Sequence, residues 1–182
     1  MLASRSPQRK AILEQLGVDF VVEPADVPEK TTGNPRSLVI ENALKKARAV
    51  EGARVLGVDT EVHLDGRIFG KPGTQEEAEL LLRRLSGRVH EVWGGIALIE
   101  GSSERTAAAV TRVRFRLIEA PLMNWYLESG EWRDRAGGYA IQGRGAAFVE
   151  SIEGDFWNVV GLPVPLLLDL APGLLQSAQS VE

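Results

Sequence analysis

The segment RVLGVDTEVHLDGRIFG, residues 54–70, constrains the fold of this chain more than any other stretch. Its apolar residues Val55, Leu56 and Val58 are typical of a buried strand. The dipeptide Asp65-Gly66 then separates two β-rich runs and favours the two-residue turn of a β-hairpin. We therefore expect a β-sheet in which this hairpin is covered by helices.

Helical and strand-like patterns alternate along the rest of the chain. Apolar residues at helical spacing predict helices that run from a Ser6 cap to Gly17 and over residues 37–50, 74–85, 121–129 and 165–170. Apolar or alternating runs predict strands at residues 18–22, 89–100, 106–117 and 147–152, and the proline-bearing segment 23–36 is predicted to be a loop. This alternation predicts one α/β domain, residues 1–174, with a mixed β-sheet and a frayed tail at residues 175–182.

Composition limits the classes of function. With 182 residues, of which 44% are hydrophobic, the chain can bury one core or two small lobes around a cleft. It has no cysteine, so a metal must be held by oxygen ligands or by the two histidines. A net charge of −4 argues against broad nucleic-acid binding. No apolar run approaches the length of a membrane span, so we expect a cytoplasmic protein.

The stretch LASRSPQRK near the start of the chain has the pattern of an anion site. Ser6 is placed to cap a helix, and Pro7 suits the first helical position because the N–H it lacks has no partner there. The free N–H groups at such a helix start, beside Ser4 and Arg9, can bind phosphate. An ordinary surface cap explains the same residues, so both interpretations stay open.

Asp59 follows the buried run of residues 55–58, at the strand end where open α/β sheets place ligand chemistry. A turn aspartate is the alternative. Glu29, in the proline-bearing loop, is a second candidate carboxylate. GRIFGKP is not a P-loop, because only three residues separate its glycines where a P-loop has four, and Pro72 follows Lys71. Lys71 can still meet a phosphate from the end of the hairpin.

Other polar groups are weaker candidates. AGGYAIQG, residues 136–143, combines glycines that permit close backbone approach with Tyr139 and Gln142, whose side chains can read a base edge. Arg112, Arg114 and Arg116 alternate with apolar residues and are predicted to lie on a solvated sheet face. We interpret His63 and His90 as structural residues.

Seven segments together resemble the Maf family, the septum-formation-inhibitor homologues that are nucleoside triphosphate pyrophosphatases. The resemblance is carried, in family order and across nearly the whole chain, by LASRSPQR, ENALKKA, VLGVDTEV, IFGKP, LSGRVHEV, YLESGEWRDRAGGYAIQG and NVVGLP. It implies an extended mixed sheet with a cleft between two lobes, similar to that of the inosine triphosphate pyrophosphatases, and usually a homodimer. It also implies hydrolysis of a nucleoside triphosphate to the monophosphate and pyrophosphate with Mg²⁺ or Mn²⁺.

The resemblance assigns roles to particular residues. Asp59 matches the family's proposed catalytic aspartate, and Glu29 matches an acid of the family's cleft. We expect Mg²⁺ or Mn²⁺ to bridge phosphate oxygens to Asp59 and Glu29, and Asp59 either activates the attacking water or holds the metal that does so. Side chains that match positions for phosphate binding are Ser4, Ser6, Arg9, Lys46, Lys71 and Arg135, the last where lysine is common.

The resemblance also bears on the choice of base. Positions that bear on this choice in the family are Gln8, Thr60 and Gln142. Thr60 and Gln142 resemble the subgroup that prefers dTTP and UTP and differ from the 7-methyl-GTP subgroup. Gln8 departs from both subgroups, since arginine is usual in the first and tryptophan in the second. Gly94, where threonine is common, is expected to widen the cleft.

Three other classes of function are alternatives to the enzyme. A non-catalytic nucleotide-binding regulator of septum formation would keep the cleft but release no pyrophosphate. A nucleic-acid-binding module would use the arginine row, against the acidic net charge. A purely structural septum protein would need neither Asp59 nor Lys71.

Overall fold

The computed structural model describes residues 1–175 of the chain. Apart from Leu175, the predicted tail at residues 175–182 lies outside the described residues. In chain order the elements are α1 (Pro7–Gln15), α2 (Pro35–Arg48), β1 (Arg54–Leu64), β2 (Arg67–Phe69), α3 (Gln75–Leu85), β3 (Val89–Glu100), β4 (Ser103–Phe115), α4 (Ala120–Glu128), two 3₁₀ turns (Ala136–Gly138 and Arg144–Phe148), β5 (Val149–Glu153), α5 (Phe156–Val160) and α6 (Val164–Leu170).

The strands form one sheet in the order β2-β1-β3-β4-β5. All neighbouring strands pair antiparallel, and parallel pairing within residues 1–175 is limited to the bridges of Leu2 with Val22 and Leu56. Asp65 and Gly66 form the predicted hairpin turn with φ of 51° and 74°. The predicted α/β fold, a sheet flanked by helices, is confirmed. The prediction of a mixed sheet needs correction, because consecutive strands are joined by hairpins and other connections that pair them antiparallel throughout the five-stranded sheet.

Two local predictions need correction. Residues 18–22 do not form a strand, because only Val22 bridges to Leu2 and Val21 is exposed. Helix α2 begins at Pro35, inside the segment predicted to be a loop, because the Asn34 side chain accepts a hydrogen bond from the N–H of Ser37 and caps the helix.

Two groups of apolar side chains lie on either side of a polar interval in β1. Leu56 and Val58 belong to a core with α1 and α6, whereas Val62 and Leu64 belong to a second core with α3 and α4. Residues 59–61 lie between these two cores. Asp59 is therefore in the middle of β1, paired with Gly95, and not at a strand end or in a turn as the sequence predicts, because the strand continues through the polar residues to Leu64. The expected arrangement of two lobes around a cleft follows from this division of one strand.

Helix α2 packs directly on β1 and β3 because both strands present glycine to it. A Cβ added at Gly57 would lie 2.0 Å from the carbonyl oxygen of Ala43, and one added at Gly95 would lie 2.3 Å from that of Val39. The helix backbone therefore approaches the sheet more closely than any side chain would allow. This approach brings the polar residues of α2 to the level of Asp59.

The outer surface agrees with the remaining expectations. Arg112, Arg114 and Arg116 are exposed, as predicted for a solvated sheet face. No helix within the described residues is long and apolar enough to cross a membrane.

We expect Gly57→Ala to lower the free energy of unfolding by about 1–3 kcal/mol, because its methyl group must displace the α2 backbone. The matched control is Gly70→Ala, where an added Cβ meets nothing within 4 Å. We expect a change of at most about 1 kcal/mol in the control. Urea unfolding of both variants measures the difference, and equal stabilities would contradict the close approach of α2.

His90 should make the fold sensitive to acid. The side chain is buried, Nε2 lies 2.8 Å from the Tyr139 hydroxyl, and burial lowers the pKa of His90 to about 4 from an ordinary 6.5. As the pH falls below 6.5, the unfolded chain binds a proton that the folded chain does not bind until about pH 4.

The resulting loss of unfolding free energy is about 2–3 kcal/mol by pH 4.5. Urea unfolding at pH 7 and pH 4.5 should therefore show a smaller decline for His90→Gln than for the wild type. The same decline in both proteins would show that His90 is not the group responsible.

Candidate active site

The eleven side chains predicted to serve a nucleotide site line one cavity of about 860 Å³. They are Ser4, Ser6, Gln8, Arg9, Glu29, Lys46, Asp59, Thr60, Lys71, Arg135 and Gln142. The cavity has the size of a small-molecule site, and its lining comes from the chain start, the 23–36 loop, α2, the β1–β2 hairpin and the segment before the second 3₁₀ turn. Residues distant in sequence therefore share one cleft.

Lys46 is the centre of the charged group in this cleft. Its Nζ donates to Asp59 Oδ1 at 2.6 Å and lies 2.6 Å from Glu29 Oε1. Asp59 and Lys46 are buried, whereas Glu29 is partly exposed. Although partial burial works against ionisation of Glu29, the hydrogen bond and charge of Lys46, with Lys71 and Arg9 adding to them, lower the pKa of its carboxyl below the ordinary value.

Asn42 fixes the other oxygen of Asp59. Its fully buried amide donates to Asp59 Oδ2 at 3.1 Å and to the carbonyl oxygen of Lys30 at 3.0 Å, and its Oδ1 accepts from the N–H of Lys30 at 2.8 Å. Asn42 thus joins the 23–36 loop to β1. Sequence reasoning missed this residue, although it lies one helical turn before Lys46 and the spacing of i and i+4 places both on one face.

Arg9 lines the same cavity and is held by three hydrogen bonds. Its Nε donates to the carbonyl oxygen of Gly161 at 2.9 Å, Nη1 to Ser4 Oγ at 2.9 Å and Nη2 to Thr60 Oγ1 at 3.0 Å. Burial lowers the pKa of Arg9 below its ordinary value, while the charges of Asp59 and Glu29 oppose that change. Three of the five guanidinium donors are used, and two remain for a ligand.

The helix start that opens the cleft has the predicted cap. Ser6 Oγ accepts from the N–H of Arg9 at 3.4 Å, and Pro7 occupies the first helical position. The Ser6 hydroxyl also donates to Gln8 Oε1 at 3.1 Å, so the Gln8 side chain folds back on the helix start.

The far rim offers groups without partners. Lys71 is exposed and forms no ion pair within residues 1–175. Arg135 Nε is buried without a hydrogen-bond partner in the same part of the chain. The exposed Gln142 amide likewise makes no hydrogen bond to a described residue. These groups can all bind a ligand without first giving up a protein contact.

Glu61 is a third acid in the cleft that sequence reasoning missed. It follows Asp59 by two residues on β1, and the period-2 alternation of a strand places both side chains on one face. Oxygens of Glu29, Asp59 and Glu61 lie within 4.8 Å of one another. Burial raises the pKa of Glu61 to about 8, and the charges of Asp59 and Glu29 add to this effect.

Gly94 and His90 were also given roles by the sequence, and the structure agrees with only one of them. The prediction that Gly94 widens the cleft is wrong: a Cβ there would lie 1.9 Å from Asn158 Oδ1, and Gly94 is not among the lining residues of the cavity. His90 lies in the apolar interior against Phe115 and Tyr139, in keeping with a structural residue.

Known proteins resemble this chain over most of its length. A protein named dTTP/UTP pyrophosphatase from Symbiobacterium thermophilum is 49% identical over 170 residues, which cover 90% of this chain and 88% of that protein. Proteins of the same name from Thermococcus onnurineus and Thermotoga maritima are 45% and 42% identical, covering 93% and 92% of this chain and 95% and 85% of those proteins.

Among solved structures, the Staphylococcus aureus Ham1 protein is similar at 18% identity and a TM-score of 0.44, over 63% of this chain and 70% of that chain. The model of the Maf family, described as Maf-like protein, matches residues 1–173. With this match over nearly all of its length, and with relatives at 42–49% identity, the chain belongs to the Maf family.

Proposed function

We propose that this protein hydrolyses nucleoside triphosphates, dTTP and UTP above all, to the monophosphate and pyrophosphate. The observation that carries the proposal is the convergence of Asp59, Glu29, Arg9, Lys46 and Lys71 on one cavity. A triphosphate bound with a divalent cation needs carboxylates for the metal and cations for the phosphates, and both surround this space. The name of the similar proteins, dTTP/UTP pyrophosphatase, supports the same activity.

The acidic side of the cavity suits a hard divalent cation. Mg²⁺ and Mn²⁺ prefer oxygen ligands, and Glu29 and Asp59 offer carboxylate oxygens within 4.8 Å of one another. The chain has no cysteine, and neither histidine lines the cavity. Such a cation supplies charge neutralisation for the phosphates and a template for the attacking water.

The residues of the cleft then divide the remaining work. Lys71, Arg135 and the free donors of Arg9 bind phosphate oxygens and stabilise the pyrophosphate that leaves. Ser4 holds Arg9 in place, and Ser6 caps the helix start, whose N–H groups add positive potential. Positioning and electrostatic stabilisation of this kind supply most of the catalysis in phosphoryl transfer.

Asp59 is assigned to the cation. Lys46 and Asn42 each fix one of its oxygens, so the carboxylate is held in a single orientation toward the cavity. A preorganised ligand of this kind does not reorganise when the metal and substrate arrive. Lys46 at the same time offsets part of the negative charge that would otherwise repel a triphosphate.

Base recognition falls mainly to Gln142. The Thr60 hydroxyl contacts Arg9 and the carbonyl oxygen of Gly161, and the Gln8 amide contacts Ser6, so both are engaged by the protein. The Gln142 amide has a free donor and a free acceptor, which match the paired groups on a pyrimidine edge. A residue that satisfies both groups of one base rejects bases with a mismatched edge.

The domain organisation, cellular location and oligomeric state belong to the same proposal. We infer that residues 1–174 act as one domain, that the protein works in the cytoplasm and that it forms a homodimer. The family match over residues 1–173 supports the first of these.

We expect Asp59→Asn to reduce pyrophosphate release from dTTP by about a hundredfold or more. The amide lacks the negative charge that attracts the cation. Lys46 keeps its contact with Glu29, so the variant should fold. The matched control is Asp169→Asn, at an exposed position of α6 outside the cavity. A folded Asp59→Asn variant with wild-type turnover would refute the assignment, and a wild type that binds dTTP without turnover would indicate the non-catalytic regulator.

A panel of triphosphates tests the base preference. We expect pyrophosphate release from dTTP and UTP to exceed that from ATP and GTP, and we expect Gln142→Ala to reduce this preference by about tenfold or more, because truncation removes the amide that pairs with the base. Steady-state kcat/KM for each nucleotide measures the ratio. Equal values for ATP and dTTP in the wild type would overturn the preference for pyrimidines and leave the reaction class intact.

A further inference from the structure

Glu61 is the one acid of the cluster formed by Glu29, Asp59 and Glu61 that has no partner. Only 8% of the surface of Glu61 is exposed to solvent, and the residue lines the cavity beside Asp59. Within residues 1–175 the carboxyl group accepts no hydrogen bond and forms no ion pair. Burial disfavours the charged form of a carboxyl group that has no partner, and a cation bound from outside the protein would offset that penalty.

The neighbouring charges show what kind of partner is missing. Lys46 lies 2.6 Å from an oxygen of Asp59 and 2.6 Å from an oxygen of Glu29, but it does not pair with Glu61. Lys71 and Arg9 act on the cluster only from a distance, so within residues 1–175 the ammonium of Lys46 is the cation in direct contact with these acids, and it contacts two of the three. A divalent cation is the kind of partner that would contact all three.

The spacing of the oxygens fits one ion. Ligand atoms of Glu29, Asp59 and Glu61 lie within 4.8 Å of one another. Oxygens on opposite sides of an octahedral Mg²⁺ are about 4.2 Å apart, because each bond is about 2.1 Å long. Oxygens at neighbouring corners are about 3.0 Å apart, and among three ligands of one ion at most one pair is opposite. Starting from separations within 4.8 Å, the three groups would reach this geometry by rotation of their side chains. Glu29 comes from the loop before α2, whereas Asp59 and Glu61 share strand β1.

We propose that Glu61 is a third carboxylate ligand of the divalent cation in this cleft, beside Asp59 and Glu29. This assignment rests on the proposed function for the presence of the cation, but it concerns a residue to which neither sequence patterns nor the family resemblance gave a role. Two ligands from one strand fix the ion relative to the sheet. The protein then binds the cation before the nucleotide arrives.

The test measures Mn²⁺ binding to the full chain by isothermal titration calorimetry without nucleotide. We expect Glu61→Gln to weaken Mn²⁺ affinity by about 10- to 100-fold, because the amide has the same size but no negative charge. Glu61→Asp should recover part of the affinity. Glu128→Gln, an exposed change on α4, is the matched control and should bind Mn²⁺ as the wild type does.

Thermal unfolding without metal shows that the variants are folded before affinities are compared. Equal Mn²⁺ affinity for the wild type and Glu61→Gln, or no Mn²⁺ binding by the wild type, would overturn the assignment of Glu61. Pyrophosphate release by the wild type, measured in parallel with Mg²⁺ and dTTP, tests the proposed function separately. If the wild type releases pyrophosphate but Glu61→Gln binds Mn²⁺ as tightly as the wild type does, only the role of Glu61 is rejected. If the wild type releases no pyrophosphate, the proposed function is rejected.

Discussion

The buried ammonium of Lys46 is the interaction on which the rest of the site depends. It lies 2.6 Å from oxygens of both Asp59 and Glu29, and so it connects helix α2 with strand β1 and with the loop before the helix. Burying such charges costs solvation energy, and apolar residues in their place would often stabilise a fold at least equally well. We propose that the arrangement is a prepared binding site, in which Lys46 holds two acids in place for a second, external cation.

The backbone of the sheet determines whether Lys46 can reach that position. Gly57 and Gly95 lie in paired positions of β1 and β3 and have no side chain beneath α2. The backbone carbonyl groups of the helix therefore approach the strand backbone closely. From there Asn42 and Lys46 extend to the two oxygens of Asp59. The change from apolar to polar residues in the middle of β1 places this meeting point between the two cores, where a cavity can open without exposing either.

Local signals predicted most of the elements and the members of the site. The Ser6-Pro7 cap, the Asp65-Gly66 turn and the alternation in β4 depend on nearby residues alone, which is why they could be predicted. The segment at residues 18–22 was misjudged because its apolar residues have the composition of a strand but only one bridging partner. Gly94 was misjudged because its neighbour, Asn158, lies 64 positions further along the chain, and no local pattern shows which side chain fills a glycine's space. Asn42 and Glu61 needed only the periods of the helix and the strand, applied from Lys46 and Asp59.

The central claim is that the acids and cations of this cleft direct water to the α-phosphorus of a nucleoside triphosphate. Hydrolysis of dTTP in water enriched in ¹⁸O, with the products analysed by mass spectrometry, tests it directly. The account predicts that the label enters the nucleoside monophosphate and that the pyrophosphate remains unlabelled. Label in the pyrophosphate, or release of inorganic phosphate in its place, would contradict the account.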